Sequence, residues 1–354
     1  MVSGLKGYPM LNMKEYSKRL CQKILFYAVM VNSPLMLRGQ SVPTRHVLTR
    51  PVIEGSWWQI AGNPDLGRYT SEKQQPVDFG IWQAADGTWQ LWSCIRNTRC
   101  GGHTRLFYHW EGKDLTDKDW EPRGIAMEAD TTVGEAAGGL QAPFVFRTRD
   151  TFYMVYGDWN NICLASSADG KKFTRVLNAK GRSDLFSGPY GNTRDPMVMY
   201  DSGLYYCYYT GHTAPDGTVT ENGKAVHKTY KSADFCRVSA DLKHWSAPVM
   251  VAAGGAADQK TDWFGGGAEC PFVVKKDGAY YLFRNQVYGK NNLNTQYASE
   301  DPRNFGIGND SSGIGTLPVA APEIVFSGGA YYIVALNPSL DGIRVAKLKW
   351  EPVE

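Results

Sequence analysis

The feature that most restricts this chain is one hairpin written five times. Each copy reads apolar strand, then a turn rich in Asp, Gly or Ser, then an aromatic strand, and the copies occupy residues 78–92, 142–156, 195–209, 269–283 and 321–334. Asp86-Gly87, Asp277-Gly278 and Gly328-Gly329 supply the positive φ angles that a two-residue hairpin turn requires, and the flanking aromatic and β-branched residues suit a pleated surface. A unit that cannot bury its apolar face alone must stack on its neighbours. After most copies comes a third strand and then a shared phrase, Asp114 to Trp120, Asp169 to Phe173 and Asp241 to Trp245. These phrases read as outer strands followed by the return to the next repeat. One four-stranded antiparallel sheet per repeat, arranged radially around a central cavity, is a five-bladed β-propeller. Two stacked sandwiches would not demand one turn position in all five copies. The polar insertion from Gly211 to Tyr230 in the third copy is expected as a rim loop.

Composition agrees with an all-β chain: 11 Trp, 20 Tyr, 14 Phe and 38 Gly among 354 residues favour short aromatic strands joined by tight turns. With 38 Lys and Arg against 35 Asp and Glu the charge is nearly balanced, and no basic stripe offers a nucleic acid a surface. Residues 1–40 are laid out differently. Lys14, Lys18, Arg19 and Lys23 precede the apolar run Ile24 to Met30, and Arg38-Gly39-Gln40-Ser41 closes the segment on a polar exit. That is the layout of a signal peptide, which predicts a secreted or periplasmic protein. No run is long enough for a membrane span. Residues 41–354 are expected as a single propeller domain, acting as a monomer. Export would permit disulfides, with Cys94 and Cys100 close enough to bridge a turn. Cysteines inside apolar strands are expected as small buried thiols.

In a propeller the first strand of each blade lies nearest the axis, so residues at its start converge in space although they are distant in sequence. Aligned on the Pro that follows (Pro143, Pro196, Pro271 and Pro322, with Phe79 in the first copy), Asp78 and Asp195 stand directly before it and Glu269 one residue earlier. The same places hold Gln141-Ala142 and Ala320-Ala321 in the other two copies. Three carboxyls confined together resist simultaneous ionisation, so at least one should keep a proton. That is the division of labour glycoside hydrolysis needs, with one protonated carboxyl for the leaving oxygen and one ionised carboxylate to attack or to activate water.

Arg194-Asp195-Pro196 and Glu269-Cys270-Pro271 resemble the Arg-Asp-Pro and Glu-Cys motifs of glycoside hydrolase family 32. The order Asp in blade one, Asp in blade three and Glu in blade four is similar to family 43 arabinofuranosidases and xylosidases. The resemblance covers residues 55 to 354, although Pro76-Val77-Asp78-Phe79-Gly80 departs from the family 32 pattern around the first acid. It implies that Asp78 is nucleophile or general base, that Asp195 holds sugar hydroxyls and tunes the acid, and that Glu269 is the general acid. It implies an oligo- or polysaccharide substrate with furanose or pentose units. A sugar phosphorylase or transglycosidase of the same architecture, and a glycan-binding propeller without turnover, are the other functions compatible with the pattern.

Around the acids, Arg96, Asp158, Trp159, Asn192, Arg194, Trp263 and Phe264 lie beside strand ends where side chains can meet a sugar. Aromatic faces suit its ring and Arg or Asn its hydroxyls. Glu323 is a further acid, either facing the cavity or turned into a neighbouring blade. The six His show no ligand spacing, and neither a metal nor a cofactor is expected.

Overall fold

The computed structural model describes residues 47–213, 218–221, 224–227, 231–259 and 268–353. The leader expected over residues 1–40 and the positions Trp263 and Phe264 lie outside the described residues. The described chain is five antiparallel sheets in a ring, the expected propeller. Blade I runs Gln75–Gln83, Trp89–Arg96, Leu106–Gly112 and Glu121–Met127 from the axis outwards. Blade II uses Gln141–Thr148, Thr151–Gly157, Asn161–Ser167 and Asp184–Ser187, and the short strand Thr174–Arg175 also pairs with the third of these. Blade III is Arg194–Asp201, Leu204–His212, Ser232–Ser239 and Val249–Ala252. Blade IV is Glu269–Lys276, Ala279–Val287, Leu293–Ser299 and Gly313–Leu317.

Blade V is assembled from both ends of the described chain. Glu323–Ser327, Ala330–Leu336 and Gly342–Pro352 supply three strands, and Thr49–Gly62 supplies the outermost, pairing antiparallel from Thr49 opposite Pro352 to Gly62 opposite Gly342. This one blade therefore closes the ring.

The turns follow the sequence at Asp277-Gly278 and Gly328-Gly329, but not at Asp86-Gly87, where Gly87 alone has a positive φ (87°) and a longer loop between Gln83 and Trp89 is closed by Ala84 N–H donating to Thr88 O at 2.8 Å. Ser202-Gly203, Asp277-Gly278 and Gly328-Gly329 each place two successive residues at positive φ (50 and 85, 48 and 84, 57 and 80°), the type I′ geometry whose twist matches the strands it joins. The recurring Asp phrase has a different place from the one expected. It is the turn between third and fourth strands within a blade, not the return to the next. In blade III Asp241 Oδ1 accepts from the N–H groups of Lys243 and His244, and in blade II Asp169 Oδ1 accepts from Lys171 and Lys172. An Asp side chain imitating a backbone turn is the physical reason the phrase recurs. The insertion of blade III joins its second and third strands and contains a hairpin, Thr218–Glu221 with Lys224–His227.

Adjacent blades are held by aromatic side chains set edge to face. Trp82 of blade I meets Phe173 of blade II at 5.8 Å between centroids, while its Nε1 donates to Gly170 O at 2.7 Å. Phe186 of blade II meets Trp245 of blade III at 5.6 Å. Burying one such ring removes surface worth about 4 to 6 kcal/mol before entropy. All six described cysteines are free thiols. Cys94 does not bridge to Cys100 because its Sγ points the other way, donating to Leu140 O at 3.3 Å beside blade II.

Candidate active site

Each innermost strand begins with the same irregularity. Asp78, Ala142, Asp195, Cys270 and Ala321, one per blade, have φ of 35, 42, 54, 52 and 45°. In four blades the ladder slips there, between Val77 and Phe79, Gln141 and Phe144, Arg194 and Met197, and Glu269 and Phe272. This is a β-bulge with a left-handed residue, costing about 1–3 kcal/mol in a residue with a side chain. Two of the five are Ala, so the strain belongs to the architecture and not to the chemistry. What varies is the side chain placed on it.

The bulge lets two successive residues of one strand reach the axis. Above it opens a cavity of about 340 Å³ lined by Asp78, Arg96, Arg105, Gln141, Trp159, Asn192, Arg194, Asp195, Glu269 and Tyr288. Below it a narrow axial void of about 40 Å³ is bounded by residues of all five blades. Further along, Phe144 of blade II meets Phe272 of blade IV across the axis at 6.1 Å. The channel is thus plugged, and the cavity is a blind pocket at one end of the ring.

Three carboxyls from blades I, III and IV share this pocket. Asp78 Oδ1 accepts from Tyr288 Oη at 3.3 Å and lies 3.7 Å from the Cys270 thiol, which is 3.1 Å from the same tyrosine oxygen. Glu269 Oε2 receives two nitrogens of Arg194, Nε at 3.1 Å and Nη2 at 2.7 Å. The same Nε lies 3.4 Å from Asp195 Oδ2. Arg194 is 5% exposed and is fixed further by Asn192 O and Ser232 Oγ. It links two carboxylates from inside the wall.

Burial and the negative charges of Glu269 and Asp78 push Asp195 up to about 7, against the pull of Arg194. Burial and then Glu269 raise Asp78, while Arg105, Arg96 and the Tyr288 hydroxyl oppose the rise. Burial and Arg194 hold His212 down at about 4, so its ring is neutral 3.4 Å from Arg194 Nη1. Both buried aspartates are thus pushed towards keeping a proton as the pH approaches neutrality. Gln141 Oε1 and Asn192 Oδ1 are buried acceptors with no hydrogen-bond partner among the described residues. An acceptor left so costs about 1–3 kcal/mol, and two beside one pocket are a demand for donors.

Of the residues the sequence singles out, Asp78, Arg96, Trp159, Asn192, Arg194, Asp195 and Glu269 line the pocket. Asp158 does not. Its carboxylate accepts from the N–H groups of Asn160 and Asn161 and from Asn161 Nδ2, which holds its own turn closed. Glu323 is turned into the neighbouring blade, where its Oε2 accepts from Ile81 N at 3.2 Å, and burial raises its pKa well above the usual carboxylate range. Arg105, Gln141 and Tyr288 also line the pocket, and the sequence reading did not single them out as functional. Arg105 belongs to the third strand's approach in blade I, and Tyr288 to the loop after the second strand of blade IV. Only the pairing of strands brings them inwards. Trp159 has φ 87°, and its ring stacks on His103 at 3.9 Å with the Arg105 guanidinium 5.1 Å from its centre.

No protein-family profile and no curated protein matches the chain in sequence. Solved structures do. A thermostable family-43 glycoside hydrolase superposes with TM-score 0.55 at 20% identity, over 79% of this chain and 90% of that chain. A GH43 β-xylosidase/α-arabinofuranosidase from a compost microbial metagenome gives 0.53 at 16% identity, over 82% and 96%. Bombyx mori GH32 β-fructofuranosidase gives 0.55 at 16% identity, over 86% of this chain and 65% of that chain. The chain shares the five-bladed propeller fold of these enzymes.

Proposed function

We propose that the chain is a glycoside hydrolase acting on plant or microbial glycans with furanose or pentose units, and that Asp78, Asp195 and Glu269 are its catalytic carboxyls. The observation that carries this reading is their convergence, from three separate blades, on one blind pocket of a fold shared with xylosidases, arabinofuranosidases and a fructofuranosidase. The orphan acceptors Gln141 Oε1 and Asn192 Oδ1 suit the hydroxyl donors of a sugar, and the Trp159 wall suits its ring.

Asp78 acts at the anomeric carbon, directly or through a water, and Glu269 gives its proton to the departing oxygen. For that step Glu269 must carry a proton, and Arg194 bonds to it. The Arg194 Nε that reaches Glu269 also lies 3.4 Å from Asp195 Oδ2, so a small shift of the guanidinium favours one carboxyl over the other, which is how Asp195 tunes the acid. Export by way of residues 1–40 belongs to the same reading, since polymeric glycans are met outside the cell.

The test is turnover of aryl α-L-arabinofuranosides, β-D-xylosides and β-D-fructofuranosides. Glu269→Gln and Asp78→Asn should each lower kcat on a responsive substrate by on the order of 10²–10⁴-fold. Full activity in both variants would sink the assignment.

A further inference from the structure

Two arginines in the pocket are not ion-paired with its carboxyls. Arg194 is bound to Glu269, but Arg96 and Arg105, whose charges act on Asp78, form no ion pair among the described residues. Arg96 Nε donates to the neutral Gln75 Oε1 at 2.9 Å, and the Arg105 guanidinium lies 5.1 Å from the centre of the Trp159 ring. Their placement is more telling than their number. The second and third strands of blade I pair as far as Ile95 opposite Leu106, and Arg96 and Arg105 are the residues directly beyond that pair, one after the second strand's Ile95 and one before the third strand's Leu106. Like charges brought together across a pair of strands repel. Here both side chains reach one cavity wall.

We infer that Arg96 and Arg105 form an oxyanion-binding subsite beside Asp78, which takes a carboxylate, sulfate or phosphate group carried on the glycan or supplied as free inorganic phosphate. Guanidinium forks present parallel donors to such groups, and two of them on one wall accept the several oxygens of one anion. The Trp159 face holds the Arg105 guanidinium beside it by a cation–π contact. The inference deepens the glycosidase reading and rests on it for the pocket being the substrate site. It makes the substrate an acidic sugar, or the second substrate an inorganic oxyanion.

The experiment is calorimetric titration of the full chain with inorganic phosphate, inorganic sulfate, galacturonate and glucuronate, with xylose as neutral control, repeated on Arg96→Met and Arg105→Met. The expected result is saturable binding of at least one oxyanion, weakened about 10- to 100-fold in each variant, with xylose binding unchanged within about twofold. Binding of phosphate but not of the uronates assigns the free ion. Binding of the uronates assigns a group borne by the sugar. Should the variants unfold, arginine-selective modification of the unaltered protein, read by mass spectrometry, replaces them. The bound anion should then protect Arg96 and Arg105. No oxyanion binding, or binding that neither substitution weakens with both arginines unprotected, overturns the inference. The two readings fail separately. Hydrolysis of neutral pentosides without oxyanion binding sinks only this one, and oxyanion binding with turnover unaltered in Glu269→Gln sinks only the glycosidase.

Discussion

Arg194 stands between two carboxylates that compete for it, and this sets how the pocket responds to pH. A buried Asp whose pKa is raised binds its proton more tightly folded than unfolded. Between the usual value near 3.8 and the folded value of about 7 for Asp195, the folded state holds more protons, so stability falls as pH rises through that window. Asp195→Asn removes the group, and the urea midpoint of that variant should fall less between pH 4 and 7 than that of the parent. An identical slope in both would mean that Asp195 ionises normally. The acids were legible because a carboxylate at a strand start is a strong signal when five aligned copies hold it only three times. Asp158 read equally well from its position, yet a side chain at a turn can bond to its own backbone, and nothing in the sequence says which choice it makes.

At the scale of the strand, the inner face of each blade shows a further layer. Two residues past the left-handed position stand Gly80, Phe144, Met197, Phe272 and Glu323, and these form the plug below the pocket. Gly80 is small by necessity. A Cβ there would fall 2.5 Å from Pro143 O, a backbone atom of blade II that cannot move aside. Gly80→Ala should therefore destabilise the protein by about 1–3 kcal/mol, measured as a lower urea midpoint with unchanged m-value. A neutral result would show that blades I and II can separate locally. Glu323 lies in the same layer, where burial raises its pKa and its Oε2 accepts from Ile81 N. The hairpins themselves were plain, since Asp-Gly and Gly-Gly turns and alternating aromatics declare them. The arrival of Arg96 and Arg105 at one wall was hidden, because it depends on the register between strands separated by a loop that carries no periodicity.

The ring as a whole depends on one junction. Thr49–Gly62 covers the edge of Gly342–Pro352, and without it that strand presents unpaired N–H and C=O groups to solvent. Deleting residues 49–62 should make the protein aggregate more readily and melt at a lower temperature than its parent, read by size-exclusion chromatography and thermal melting. A monomeric, cooperatively folded deletion variant would show that four and three-quarter blades suffice. The sequence does not announce this closure, because the fifth copy resembles the others and its missing strand lies far from it, before the first copy.

That junction also orders events in time. The strand that completes the ring is the first of the propeller to leave the ribosome, and its partner the last. Blades I to IV can each form from neighbouring sequence as they emerge, but Thr49–Gly62 finds its partner only once the final strand is made. Closing so long a loop adds an entropic cost that no local hairpin bears, which makes ring closure the expected slow step of folding.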